Sequence, residues 1–272
     1  RDSGFAPVTL ECEPVAAAYA YGLQLTREEV VLIADCGGGT SDLSLLRMAP
    51  APARAAASCQ VLGTDGVAIG GDTFDSLLMR HLVAPHLGLG MQYRSFEKLL
   101  PVPNWLYSQL ERWDHLWFLN TRTTLELLRT IRQSAVVPER IERFLHVITQ
   151  ELGYPLSRAV EDTKLALTAH AATRLRWHDT PVALDEPVAR ETFEAWIQPS
   201  LQVLEGAIDR LLTQCDMRPE AVDCVFLTGG SSLVPAIRQL LARKCPAAQL
   251  RHGGELTSVA RGLALRARSL SA

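Results

Sequence analysis

Residues Asp35-Cys36-Gly37-Gly38-Gly39-Thr40-Ser41-Asp42 constrain the fold more than any other stretch of this chain. Val30-Val31-Leu32-Ile33-Ala34 precedes them, apolar and β-branched enough for a buried strand. Leu43-Ser44-Leu45-Leu46 follows as a second strand. The three glycines between them carry no Cβ and accept either sign of φ, so their N–H groups can wrap an anion closely. An acid stands on each side, Asp35 and Asp42. N–H groups for phosphate oxygens, with carboxylates for a hydrated Mg²⁺, make a nucleotide-phosphate site. A glycine-rich hairpin with solvated acids has the same local signature, so other segments must decide.

The rest of the chain has the makings of an α/β core. Its 272 residues suffice for one large or two ordinary domains, and 47% are apolar. Net charge is −3, from 27 basic and 30 acidic residues, which argues against a nucleic-acid surface. No apolar run approaches the roughly 18–20 residues that span a bilayer. No signal peptide is visible at the start, so no membrane partner is expected. The six cysteines, Cys12, Cys36, Cys59, Cys215, Cys224 and Cys245, form no C-x-x-C pair and cluster with no histidine at zinc spacing. They read as thiols of a reducing cytoplasm. The chain opens on Arg1, and Arg1-Asp2-Ser3-Gly4-Phe5 reads as the tail of a helix with a glycine stop. The expectation is an excised piece of a longer protein.

Element signals follow in order. Val8-Thr9-Leu10 reads as a short strand and residues 13–22 as a helix, with proline in its first turn and glycine at its end. Residues 50–57 are an alanine/proline connection. A third strand is expected over 58–62, turned back by Gly63-Thr64-Asp65-Gly66. Gly70-Gly71 then opens a helix with Asp72 as its N-cap, Asp75 near the positive end of the dipole, and Phe74, Leu77, Leu78, Leu82 and Val83 at helical spacing. Residues 91–180 hold four of the five tryptophans, Trp105, Trp113, Trp117 and Trp177, which read as helical core. The spacing predicts helices over 122–134, 138–151 and 154–170. From Val188 the pattern resets. Phe193, Trp196, Ile197, Leu201, Leu204, Ile208, Leu211 and Leu212 mark a long amphipathic helix. A buried strand over 222–228 runs into Gly229-Gly230-Ser231-Ser232, and Pro235 starts the next helix. A small-residue helix around Gly262, over 258–267, comes last. Strands interleaved with helices define the α/β class.

Three glycine turns, Gly37–Gly39, Gly70-Gly71 and Gly229-Gly230, each sit at a strand end or a helix start. With the Glu13-Pro14-Val15-Ala16-Ala17-Ala18 helix upstream, they resemble the ATPase domain of DnaK-type (seventy-kilodalton heat-shock) chaperones, in the actin/sugar-kinase superfamily. Residues 13–23 resemble that family's first connecting helix, and Asp35–Ser44 its second phosphate loop. Gly70-Gly71-Asp72-Thr73-Phe74-Asp75 resembles its G-G-x-x-F-D turn. Residues 161–168 resemble the helix over the adenosine, and Leu227–Ser232 the adenosine loop. The block from 91 to 187, with Leu152-Gly153-Tyr154 and Ser157-Arg158, is most similar to the YegD-like branch, whose members consist mainly of the ATPase domain.

The resemblance implies an α/β fold of the actin-like ATPase (ribonuclease-H-like) kind, lobe II, with a helix-rich insertion. Residues 1–29 would be a remnant of lobe I and the connecting helix, 30–75 with 188–272 the α/β subdomain, and 76–187 the insertion. Gly37, Gly38, Gly39 and Thr40 would hold the β- and γ-phosphates of ATP or ADP. Asp35 and Asp42 would bind Mg²⁺ through water, and Glu13 would order the metal-bound or attacking water. Gly71 would pass close to the nucleotide; Glu161, Lys164 and Thr168 would bond ribose or base; Gly229, Gly230, Ser231 and Ser232 would form the other wall. Nucleotide, client proteins and co-chaperones are the implied partners.

Three departures stand beside these roles. The family's Asp-x-Gly-Thr loop and the lysine of the first lobe would precede Arg1. Leu165 and Leu233 replace the arginines that clamp adenine, removing cation–π contacts of about 0.5–2 kcal/mol. The segment from Glu255 to Gly262 lacks a clear match to the usual acid. The expected function is Mg-dependent ATP hydrolysis in the full-length chaperone, with this chain binding nucleotide weakly and turning none over. The alternatives are a small-molecule kinase of the superfamily, a degenerate nucleotide-binding module, and an actin-like filament protein. No G-x-x-x-x-G-K-[S/T], strand-following G-x-G-x-x-G or G-x-S-x-G motif competes.

Overall fold

The computed structural model describes residue 4 and residues 8–10, 13–22, 25–50, 58–252 and 258–270. Cys12, Leu23, residues 255–257 and most of the segments 1–5 and 50–57 lie outside them, so the readings made there have no structural counterpart. The chain divides into two compact units, Arg1–Gly71 with Pro199–Ala272, and Asp72–Gln198.

In the first unit, residues 8–10 form no strand; all three are exposed, so the β-branched Val-Thr pair has no apolar surface to cover. Helix α1 spans Glu13–Gly22. Strands β1 (Glu29–Cys36) and β2 (Ser41–Ala49) make the expected antiparallel hairpin, each longer than its apolar run. Strand β3 (Ser58–Val67) pairs with β2 through Gly66, opposite Asp42. The turn read at Gly63–Gly66 is therefore strand. A bulge at Leu45/Leu46 absorbs one extra residue, and Gly63 lies under the Leu211 and Cys215 side chains, where a Cβ would collide.

Helix α2 (Gly71–Leu78) runs into a π-helical turn (Met79–Val83) and a 3₁₀ turn (Ala84–Leu87). The second unit continues with β4 (Gln92–Ser95), β5 (Lys98–Pro101), α3 (Asn104–Leu110), a 3₁₀ segment (Trp113–Leu119), α4 (Arg122–Ser134), α5 (Pro138–Thr149) and α6 (Gly153–Ala169). The three helices read from periodicity are present. Thr121 caps α4, its hydroxyl accepting the Thr124 N–H at 3.3 Å, and Pro138 opens α5 where its missing N–H costs nothing. Two hairpins were not read from the sequence, β4–β5 and the longer β6 (Ala172–Asp179) with β7 (Val182–Ala189). Nor are Trp105, Trp117 and Trp177 helical core. Trp105 is 48% and Trp117 66% exposed, and Trp177 lies on β6. Leu106, Tyr107, Leu110, Leu128, Ile131, Ile141 and Phe144 are buried instead.

Helix α7 (Arg190–Gln214) carries Pro199 and contributes to both units. Strand β8 (Cys224–Thr228), helix α8 (Pro235–Lys244), strand β9 (Gln249–His252) and helix α9 (Ser258–Leu270) complete the first unit. Its sheet has the order β3-β2-β1-β8-β9, antiparallel on the β2 side and parallel from β1 through β9. Strand β8 is buried throughout, as its unbroken apolar run requires. One face of the sheet, through Val31, Ile33, Leu46, Met48, Cys224 and Phe226, packs on Ala18 and Tyr21 of α1. Truncating a fully buried member such as Ile33 to alanine costs about 2–5 kcal/mol. Helices α1 and α9 cross so closely that a Cβ on Gly262 would fall inside the Ala16 carbonyl. This explains the glycine in the last helix.

Candidate functional site

The strand ladder puts Asp35 and Asp42 directly opposite each other, leaving Gly37–Thr40 as the turn. The Gly37 N–H closes that turn on the Thr40 carbonyl at 2.9 Å. The N–H groups of Gly38, Gly39 and Thr40 have no hydrogen-bond acceptor among the described residues, and all three residues are exposed. The turn therefore offers bare donors, the arrangement an anion needs.

Two other glycine turns hold this loop from outside. The Gly37 carbonyl accepts the Gly71 N–H at 3.0 Å and the Ser231 hydroxyl at 2.7 Å. Gly70 lies so near the loop that a Cβ would strike the Gly37 and Gly38 carbonyl oxygens. Gly229 adopts φ 78° and ψ 148°, a region essentially restricted to glycine, and a Cβ there would strike the Cys36 carbonyl and lie 2.7 Å from an Asp35 carboxylate oxygen. The Ser41 hydroxyl donates to the Ile69 carbonyl at 2.7 Å, anchoring the strand that leaves the loop. Three turns separated by up to 194 residues thus meet at one carbonyl.

Acid chemistry surrounds the loop. Burial first, then the charges of Glu13 and Asp42, raises the Asp35 carboxyl above the ordinary carboxylate range. The Thr40 hydroxyl donates to Asp42 at 2.8 Å. Among the described residues no three His, Cys, Asp or Glu side chains converge as direct metal ligands. Two mutually repelling carboxylates at the loop suit a cation. Beside them the Cys36 thiol, buried, is pushed up to about 12 and stays inert.

The sequence-read residues fall in two groups. Glu13, Asp35, Gly37–Thr40, Asp42, Gly71 and Gly229–Ser232 belong to the first unit. Ser232 is fully buried and its hydroxyl donates to the Gly229 carbonyl at 2.7 Å, which makes it a brace of its own turn; Gly230 is exposed, with open space around it. Glu161, Lys164 and Thr168 lie on α6 of the second unit. There Glu161 pairs with Arg158, Thr168 donates to the Leu165 carbonyl, and Lys164 pairs with Asp75 at 2.6 Å. The sequence reading missed the bracing roles of Ser231 and Asp75. Both act across long separations, and only the G-G-S-S run and the acid after Phe74 hinted at them.

The family described as Hsp70 protein matches residues 3–87 and 149–272. The chain belongs to the Hsp70 family. A Chaperone protein DnaK of Thermus thermophilus is 26% identical over 242 residues, which cover 89% of this chain and 31% of that protein. The Chaperone protein dnaK of Cyanidioschyzon merolae is 26% identical over 231 residues, 84% of this chain and 29% of its own length. The HscA homolog of Haemophilus influenzae is 26% identical over 240 residues, 88% and 28% respectively. The chain thus spans less than a third of these curated relatives. Membership of the Hsp70 family implies the actin-like ATPase fold, and the mixed five-stranded sheet with its helices is consistent with it. Hsp70 ATPases take ATP or ADP with Mg²⁺, and the bare turn and flanking acids fit such a group. No helix among the described residues is long and apolar enough to cross a membrane.

Proposed function

We propose that this chain is the C-terminal portion of the nucleotide-binding domain of an Hsp70 of the YegD-like branch, comprising lobe II, its helix-rich insertion and the connecting helix before it. Residues 30–75 and 188–272 form the phosphate- and adenosine-binding subdomain, and 76–187 the insertion. The observation that carries the reading is the Gly37 carbonyl, at which the Gly71 and Ser231 turns converge beside the exposed residues Gly38, Gly39 and Thr40.

Gly37, Gly38, Gly39 and Thr40 hold the β- and γ-phosphates in this reading. Asp35 and Asp42 orient the waters around a Mg²⁺ ion, and Glu13 orders the metal-bound or attacking water. Gly71, Gly229, Gly230 and Ser231 line the nucleotide, the buried Ser232 bracing their turn from behind, with Glu161, Lys164 and Thr168 on ribose or base. Phosphoryl transfer depends on such positioning, and Mg²⁺, when bound, neutralises charge on the phosphates. The full-length protein hydrolyses ATP in the cytoplasm and acts on client proteins with co-chaperones. This chain alone binds nucleotide weakly and turns none over. Calorimetry with MgADP and MgATP, and phosphate release under the same conditions, test both halves. Mg-dependent turnover by the 272-residue chain would overturn the second.

Leu165 and Leu233 favour a second reading, a nucleotide-binding module without turnover even at full length. Phosphate release by the full-length protein separates the two. A small-molecule kinase would show instead as ATP consumption stimulated by a sugar.

A further inference from the structure

Gly66 on β3 is the register partner of Asp42 on β2, and Asp42 is in turn the partner of Asp35 on β1. The three form one row across the sheet of the first unit. Glycine is a poor strand residue, with no side chain to pack and the most backbone freedom to lose. Three ordinary reasons for a glycine fail here. Gly66 does not have a positive φ. It is not pressed on main chain, as Gly70 and Gly229 are; the nearest main-chain atom to an added Cβ, the Ser41 carbonyl oxygen, is 3.6 Å away, an ordinary contact. Nor does it lie under a packed side chain, as Gly63 lies under Cys215; Gly66 is exposed.

One obstacle remains. A Cβ on Gly66 would lie 2.9 Å from Oδ1 of Asp42, closer than a Cβ tolerates. Directly opposite side chains on neighbouring strands start about 4.5–5.5 Å apart at Cβ. The Asp42 carboxyl therefore reaches across toward β3, on the side away from Asp35, and occupies the space that Gly66 leaves open. Its other oxygen, Oδ2, accepts the Thr40 hydroxyl at 2.8 Å, so the same pose ties Asp42 to the glycine loop. The main chain at Gly66 is pinned. Its N–H donates to the Asp65 carboxylate at 2.7 Å, and Arg210 holds Asp65 at 3.0 Å. A side chain at position 66 would displace the exposed carboxyl rather than the strand.

We propose that Gly66 is a positioning residue: the absence of a side chain there seats the Asp42 carboxylate where it bonds Thr40 and stands apart from Asp35, the pose in which it orients the water of a divalent cation. The proposal rests on the reading of Asp42 as a cation-orienting acid. Gly66 itself touches no ligand.

A double-mutant cycle of Gly66→Ala and Asp42→Ala tests it, read by thermal unfolding without ligand and by calorimetry of ADP binding with and without Mg²⁺. Gly66→Ala alone should fold, with a melting temperature close to that of the wild type. Its gain in ADP affinity on adding Mg²⁺ should fall by about tenfold or more, the scale of losing one hydrogen bond to a charged group. Its affinity for ADP without Mg²⁺ should match the wild type. In the Asp42→Ala background, Gly66→Ala should leave the Mg²⁺ response unchanged and raise the melting temperature, because the alanine then displaces nothing and suits a strand better. A Gly66→Ala protein that fails to fold, or melts far below the wild type, would show that the glycine serves the fold and overturn the proposal. An undiminished Mg²⁺ response in the single variant overturns it too, as do losses that simply add in the double variant. Coupled melting temperatures in a wild type whose ADP affinity ignores Mg²⁺ would overturn instead the cation role of Asp42 on which the proposal stands.

Discussion

Asp35 and Asp42 are direct register partners across the β1–β2 hairpin, two acids facing each other at the mouth of a glycine loop. Like charges in that relation destabilise a sheet by about 0.2–1 kcal/mol. Burial adds to the penalty at Asp35, with Glu13 next and then Asp42. A hairpin end selected for stability alone would not be built this way; a cation turns the repulsion into attraction.

Asp35→Asn should therefore stabilise the metal-free chain at neutral pH. The sign follows from linkage. Asp35 titrates higher folded than unfolded, so its ionisation opposes folding above the folded value, and the opposition fades as pH falls through it. The asparagine is neutral throughout and gains about 0.2–1 kcal/mol at neutral pH. Urea unfolding with and without Mg²⁺ and ADP measures both effects. A variant less stable than wild type, or one whose response to Mg²⁺ is undiminished, contradicts the assignment.

Gly229 and Gly230 are neighbours with opposite expectations. Gly229 has φ 78° and presses on the Cys36 carbonyl, whereas Gly230 has open space where a Cβ would go. Gly229→Ala should cost about 1–3 kcal/mol from backbone strain alone, with the collision in addition. Gly230→Ala should fold like the wild type and serve as the control. Thermal unfolding of the two proteins side by side decides the matter; equal melting temperatures would show that the turn yields.

The convergence at Gly37 predicts a graded effect for Ser231→Ala. The carbonyl keeps the Gly71 N–H and loses only the hydroxyl, so stability should fall by about 0.5–1.5 kcal/mol. MgADP affinity should fall as well, since the loop loses one of its two outside restraints. Calorimetry that finds stability reduced and affinity unchanged would assign Ser231 to the fold alone.

What the sequence disclosed depended on contrast and range. Apolar runs broken by glycines exposed the hairpin at Asp35–Asp42, and three-and-four spacing exposed α4, α5 and α6. Gly63–Gly66 misled because turn residues also occur in a strand that lies under a helix, as this one does under Leu211 and Cys215. Strand β6 escaped notice because Thr173-Arg174-Leu175-Arg176 alternates with charges on its open side and buries only Leu175. The exposed Trp105 and Trp117 belie the rule that large aromatics fill cores. The Ser231–Gly37 and Lys164–Asp75 contacts, 194 and 89 residues apart, leave no local pattern to read.

Asp75 gives the chain an unusual pH signature. Its carboxyl titrates at about 6 in the fold, above the unfolded value, so the folded state binds the proton more tightly. Stability from this group is therefore greatest below about pH 4 and is lost as pH rises through about 6, an effect of about 3 kcal/mol at most. Acid denaturation by the other carboxylates runs the opposite way, so the comparison must be with Asp75→Asn. Between about pH 4 and 6 the wild type should lose stability relative to that variant, which lacks the titration. Parallel pH profiles would mean that the carboxyl is ordinary.

Leu165 and Leu233 stand where the family resemblance puts the two arginines that sandwich adenine. Leu165 is 56% exposed on α6, so an arginine there meets no packing obstacle. Leu233 ends the short 3₁₀ turn after Gly229 and is half-buried. Each substitution to arginine adds a cation–π contact of about 0.5–2 kcal/mol with the base, between a few-fold and about thirtyfold in affinity. The double variant Leu165→Arg/Leu233→Arg should bind MgADP more tightly than either single change and discriminate more sharply between adenine and pyrimidine nucleotides. A gain equal for ADP and for inorganic pyrophosphate would mean that the added charge, not the sandwiched base, is responsible.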